Sequence, residues 1–153
     1  MSDTDPQKLA QACADRMWNN DNASKYMGMQ IDMIAPGKAI MSMTVRLEMV
    51  NGHGICHGGY IFSLADSAFA FACNTHGEVT VAQHGAIDFV RPAKSGDRLT
   101  ATATEVSRGR RVGVYDVSVH RSDGKLVAVM RGNSYSTGVS SFENDDPENE
   151  HHA

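Results

Sequence analysis

The chain has 153 residues, 41% hydrophobic and 21% charged, with a formal charge of −4. That length suits one domain able to hold a core and a pocket, and the composition is that of an ordinary globular protein with no low-complexity body. Five acids, Glu143, Asp145, Asp146, Glu148 and Glu150, fall within residues 143–153, which contain no Lys or Arg. Without them the body carries about +1. A nucleic-acid surface would need a dense basic patch and is not expected, and no stretch is long and apolar enough to span a membrane.

Cys13, Cys56 and Cys73 are an odd set without a disulfide framework, which fits a reducing compartment. The start Met-Ser-Asp-Thr-Asp-Pro is polar and acidic, unlike a signal peptide. The expected location is cytoplasmic.

In chain order, residues 6–20 read as a helix. Pro6 suits its first turn, and Leu9, Cys13 and Met17 recur at every fourth residue. Asn19-Asn20-Asp21-Asn22 ends it. From Met29 the pattern turns to strands, broken at Pro36-Gly37. Over 39–47, Ile40, Ser42, Thr44 and Arg46 alternate with Met41, Met43, Val45 and Leu47, a period of two that predicts a half-buried strand. The loop Asn51-Gly52-His53-Gly54 leads into a long apolar run from His57 to Cys73, whose length and alanines predict a helix buried on most sides. Four strands then follow at about 79–90, 99–107, 112–121 and 126–136, with Asp123-Gly124 as a hairpin signal. The expected architecture is α+β, a mainly antiparallel sheet wrapped on one buried helix. Residues 1–138 are expected to form that single domain, helix 6–20 included, and 139–153 a disordered acidic tail.

Asp66 is the informative residue. Between Gly59 and Cys73 the polar side chains are Ser63, Asp66 and Ser67, at i, i+3 and i+4, on one face that Gly59 and Ala70 extend with small residues. Such a stripe is either a solvent-facing edge or the floor of a pocket. An edge would ordinarily carry Lys, Glu or Gln. A carboxylate beside apolar walls is costly, its pKa tends to rise, and such groups cluster at functional sites. At the helix start, Gly58 and Gly59 expose amide N–H groups that have no internal partner and carry partial positive charge. A carbonyl oxygen can accept from them, although glycines also suit a plain loop-to-helix turn.

Gly58 and Asp66 are eight residues apart, about 12 Å along a helix. One scissile carbonyl cannot readily touch both in one chain. A second copy with its helix antiparallel would bring Asp66 of one chain beside Gly58 of the other, and two-fold symmetry would make two such sites.

The run from Asn51-Gly52-His53-Gly54-Ile55-Cys56-His57-Gly58-Gly59 through Asp66 resembles the signature of hotdog-fold thioesterases, in their phenylacetate-degradation branch. Ile87-Asp88-Phe89-Val90-Arg91-Pro92, Gly96-Asp97-Arg98-Leu99-Thr100 and Gly113-Val114-Tyr115-Asp116-Val117 agree with it in order and spacing. The likeness spans about 17–137 and leaves the acidic tail outside. It implies a sheet wrapped on a central helix, a dimer with shared sites that commonly pairs again into a tetramer, and acyl-CoA substrates, including phenylacetyl and hydroxyphenylacetyl groups. It also implies that Asp66 is nucleophile or general base, that the Gly58 N–H polarises the thioester carbonyl, and that Asn51 and His57 are active-site residues. Gly59, Ser67, His84 and Arg91 are expected to bind substrate. His84, on the first strand after the helix, also reads as a half-buried sheet histidine. The CoA phosphates call for cations, with Arg91, Lys94, Arg108, Arg110, Arg111 and Arg131 as candidates. No cofactor is expected, since CoA belongs to the substrate.

Other chemistries fit less well. His53, Cys56 and His57 form H-x-x-C-H, but a closed zinc site needs four ligands and none follow nearby. Cys56 beside His57 mimics a cysteine nucleophile. Two rival functions remain: a non-catalytic acyl-CoA sensor, or a 3-hydroxyacyl thioester dehydratase pairing Asp66 with His57 or His84. Tyr60, Phe62, Phe69 and Phe71 are read either as an aromatic acyl pocket or as core.

Overall fold

The computed structural model describes residues 5–143. Helix α1 spans Pro6–Asn20, with Pro6 in its first turn and the Asp5 carboxylate accepting from the Gln7 N–H at 2.8 Å. A short helix that the polar run at 19–22 concealed, α2, follows over Asn22–Tyr26. Asp21 starts it by accepting from the Ser24 N–H and Oγ. Strands β1 (Gln30–Ala35) and β2 (Lys38–Thr44) form a hairpin through Pro36-Gly37.

The alternation expected over 39–47 holds for Ala39, Met41, Met43 and Val45, all buried. It fails at Leu47, which is 74% exposed. The chain has already left the sheet there for a 3-10 turn, Leu47–Met49, and turns Met49 inward instead.

Helix α3 covers Gly58–Cys73. After it come β3 (Glu78–Phe89), β4 (Arg98–Arg108), β5 (Val112–Arg121) and β6 (Leu126–Ser140). All six strands form one antiparallel sheet in the order β1-β2-β4-β5-β6-β3. The fold is α+β, with the sheet wrapped on α3.

The sequence explains how a helix lies so close to the strands. Helix α3 packs on β2 and β4, and Ala65, Ala68 and Ala72 share one core with Ala39, Ala101 and Ala103 of those strands, all fully buried. Small residues on both layers shorten the gap, and Leu64, Phe69 and Phe71 fill the rest. A Cβ on Gly132 of β6 would fall 2.9 Å from Cζ of Phe69, so glycine is what admits that ring. The same ring stacks at a tilt on Tyr115, centroids 5.5 Å apart. Phe69 and Phe71 are thus core, whereas Tyr60 and Phe62 are only partly buried.

Strand β3 departs from chain order. It lies beside β6, at the sheet edge, and its residues are mostly exposed, Val79 and Val81 among them. At the other end of the chain, β6 continues to Ser140, which pairs with Glu78, so residues 139 and 140 belong to the sheet rather than to a tail. Ser141 N–H donates to the Gly77 carbonyl at 2.9 Å, and the Arg16 guanidinium lies over the Phe142 ring. The remainder of the expected tail, 144–153, lies outside the described residues. No helix among the described residues is long and apolar enough to cross a membrane.

Candidate active site

Asp66 occupies the middle of α3 on the stripe anticipated from its spacing. Ser63, Asp66, Ser67 and Ala70 are partly buried, Gly59 is exposed, and the opposite face is sealed in the core. Asp66 makes no hydrogen bond or ion pair among the described residues. Burial raises its carboxyl above the usual aspartate range.

Its neighbours on the stripe are engaged. Ser63 Oγ donates to the Gly59 carbonyl at 2.8 Å. Ser67 Oγ lies 2.9 Å from Ser24 Oγ, and Ser24 gives its proton to Asp21. Ser67 is therefore the donor of that pair and ties α3 to α2, a structural bond that the sequence did not suggest.

The start of α3 is built around His57. Its Nδ1 accepts the Gly59 N–H at 2.9 Å, which leaves the ring proton on Nε2. The Tyr60 N–H bonds the His57 carbonyl. The Gly58 N–H makes no hydrogen bond among the described residues. Of the two glycine amides, Gly58 is left open and Gly59 is capped.

Asn51 shapes the preceding loop. Its Oδ1 accepts from His53 N at 2.9 Å and Ile55 N at 3.4 Å, while its main chain bonds Ile55 and Gly54. The side-chain NH2 makes no such bond among the described residues. Asn51, Gly58, Ile61, Phe89, Arg91 and Pro92 line one cleft of about 580 Å³. Three of the expected site residues thus meet there. Asp66, His57, Gly59, Ser67 and His84 do not line it.

His84 is exposed on β3 rather than half-buried, because β3 is the outermost strand. It stands just past a bulge in the β3–β6 pairing, between Ala82 and His84. Phe89 was not singled out from the sequence. It lies within the Ile87–Pro92 stretch that carries part of the family resemblance, but its approach to Gly58 spans the fold.

The cation candidates divide. Arg131 is held by Asp116 in a two-point ion pair at 2.7 and 2.9 Å. Arg91 donates to the Leu126 carbonyl and Arg111 to that of Ser136. Cys56 is buried and desolvated, which pushes its thiol up to about 11 and makes it a poor nucleophile.

Residues 53–128 match the thioesterase superfamily. Escherichia coli acyl-coenzyme A thioesterase PaaI is 46% identical over 125 residues, 82% of this chain and 89% of that protein. The structure of the E. coli PaaI protein from the phenylacetic acid degradation operon superposes with a TM-score of 0.87 at 43% identity, covering 89% of this chain and 99% of the other. A Streptococcus mutans protein bound to acetyl-CoA superposes with a TM-score of 0.71 at 28% identity, over 73% and 90% of the two chains. With this fold and these relatives, the chain belongs to the thioesterase superfamily, as a hotdog-fold thioester hydrolase of the branch that holds the phenylacetate-degradation proteins.

Proposed function

We propose that the protein hydrolyses small aromatic acyl-CoA thioesters, of phenylacetyl or hydroxyphenylacetyl type, to free acid and CoA. One observation carries this reading: an unpaired, half-buried carboxylate, Asp66, lies on the same helix whose first amide, Gly58 N–H, is left free in a cleft. The amide receives the thioester carbonyl and stabilises the oxyanion as it forms. Asp66 either takes a proton from the attacking water or attacks the carbonyl carbon itself. In the first case the water oxygen bonds to carbon, the C–S bond breaks, and the thiolate of CoA takes up the proton. In the second the C–S bond breaks as an Asp66–acyl anhydride forms, and water then cleaves the anhydride to the free acid, restoring the carboxylate while a proton of that water goes to the thiolate. The reaction needs no metal and no cofactor.

The working unit is a dimer, itself paired into a tetramer. Asp66 lies outside the cleft that holds Gly58, and β3 offers an unpaired edge with exposed Val79 and Val81 to a second copy. Each site takes Asp66 from one protomer and Gly58 from its partner. Asn51 and His57 hold the loop and helix start, and His84 and Arg91 contact the substrate. The three buried free thiols fit a cytoplasmic setting.

Thiol release from a panel of acyl-CoA substrates, with Asp66→Asn alongside wild type and mass measured by light scattering, tests the proposal. We expect phenylacetyl-type substrates to lead the panel, kcat to fall by about 10³-fold or more in Asp66→Asn, and activity to follow the dimer or larger species. Undiminished turnover by the variant, or an active monomer, refutes the shared-site mechanism. Tight binding without turnover by wild type makes the protein a sensor.

A further inference from the structure

Phe89 is an exposed aromatic in a mainly apolar cleft that it shares with Ile55, Ile61, Val90 and Pro92. It is the last residue of β3, pairs with Ala128 of β6, lines the cleft and is 54% exposed. Its ring leans on the start of α3. A Cβ built on Gly58 would fall 2.9 Å from Phe89 Cζ and 3.2 and 3.3 Å from Cε1 and Cε2. The tip of the ring therefore occupies the space that any side chain at 58 would need. The ring edge carries the positive part of the aromatic quadrupole, so it does not repel negative charge gathering at the neighbouring amide. Val90 adds another half-exposed apolar side chain to the same cleft.

We infer that Phe89 is a positioning residue for the thioester: its ring keeps water off the Gly58 amide and holds the carbonyl against it. The inference rests on the assignment of Gly58 as the carbonyl's donor. An amide that faces water spends its hydrogen bond on solvent in the ground state. One walled by an aromatic ring has its bond free for the substrate, in a medium of lower dielectric where that bond is stronger. Gly58 is then required twice, once for the open N–H and once because a methyl there would evict the ring. The surface that the ring leaves bare is what the substrate's thioester and the adjoining arm of CoA would cover. This accounts for a large apolar side chain left exposed on the single chain.

The test combines kinetics with a vibrational probe. Hydrolysis of phenylacetyl-CoA is measured for wild type, Phe89→Leu and Phe89→Ala, and each is loaded with a CoA ketone in which a methylene replaces the thioester sulfur. The carbonyl stretch of the bound ketone reads the hydrogen bond from Gly58. We expect wild type to lower that frequency relative to free ketone, Phe89→Ala to lose much of the lowering and about 10-fold in kcat with a smaller change in KM, and Phe89→Leu to fall between. Phe89→Leu keeps apolar bulk, so it carries the comparison if Phe89→Ala melts early. A lowered frequency in wild type, with both variants keeping frequency and kcat, overturns the role of Phe89 and leaves Gly58 standing. No lowering in wild type overturns the assignment of Gly58 itself, and this inference with it.

Discussion

The two ends of α3 are finished in opposite ways. At the C-terminal end nearly every polar group is spent. Asn74 bonds the Ala70 and Thr80 carbonyls and accepts the Thr80 N–H. Thr75 Oγ1 donates to the Ala72 carbonyl and accepts the Gly37 N–H. Just beyond, Glu105 Oε2 meets His76 Nε2 at 2.7 Å and the Tyr115 hydroxyl at 2.8 Å. Burial raises the Glu105 carboxyl, but those two bonds outweigh it and hold it below its usual range. At the N-terminal end one amide is capped and one is left open beside a cleft. Unmet bonding capacity costs stability, and on α3 it falls on the Gly58 amide at this end and on Asp66 at mid-helix, the two groups proposed to meet the substrate.

The largest break in this contrast is Gly58→Ala. The added methyl must displace the tip of the Phe89 ring and stands beside the amide that the carbonyl would use. We expect about 10²-fold lower kcat, the scale of losing one oxyanion donor, with little change in melting temperature. Steady-state hydrolysis beside a thermal melt checks it. A variant with wild-type kcat would mean that the open amide is idle.

Thr75→Val breaks the other end. It leaves the Gly37 N–H without its acceptor in a position where Thr75 is only 2% exposed. A cost of about 1–3 kcal/mol is expected, read as a lower denaturant midpoint, with kcat per folded protein unchanged. Loss of kcat without loss of stability would show that the two ends are coupled and the contrast is wrong.

How far the sequence reveals these two ends follows from the range of the forces involved. Helix α1 begins and ends where Pro6 and Asn20 imply, and β5 spans 112–121 as its alternation predicts, because those signals are local. The stripe of Asp66 was legible for the same reason. Short-range chemistry also hid things: Asp21 reads as a helix stop and is one, but it is also the cap that starts α2. Other misses come from distance along the chain. Leu47 is apolar and in register, yet exposed, since the sheet ends before it. The exposure of His84 follows from strand order, with β3 beside β6 instead of β4. The hold of His57 on Gly59 was within reach of its spacing, whereas the Phe89 ring against Gly58 joins residues 31 positions apart and needs the fold.

The smallest effect concerns what Asp66 costs. Its folded carboxyl titrates above the ordinary aspartate value of 3.8, because burial penalises the charge. The folded state therefore holds that proton more tightly than the unfolded chain does. As pH rises from the unfolded value through the folded one, the native state loses stability, and above that window the penalty is constant. Asp66→Asn removes the charge. It should raise the melting temperature at neutral pH by about 1–3 °C, a modest figure because the group is only half buried. The gain should vanish below the ordinary aspartate value, where both proteins are neutral at that position. Activity should move the opposite way: the proposed mechanism uses the carboxylate, so the acidic limb of kcat should lie above the usual aspartate range. Melting curves and pH–rate profiles on the same two proteins decide it. An Asn variant no more stable than wild type at neutral pH would mean that the carboxylate is solvated or paired in the assembled protein. Helix α3 would then carry no stored cost at Asp66, and the contrast would rest on the Gly58 amide alone.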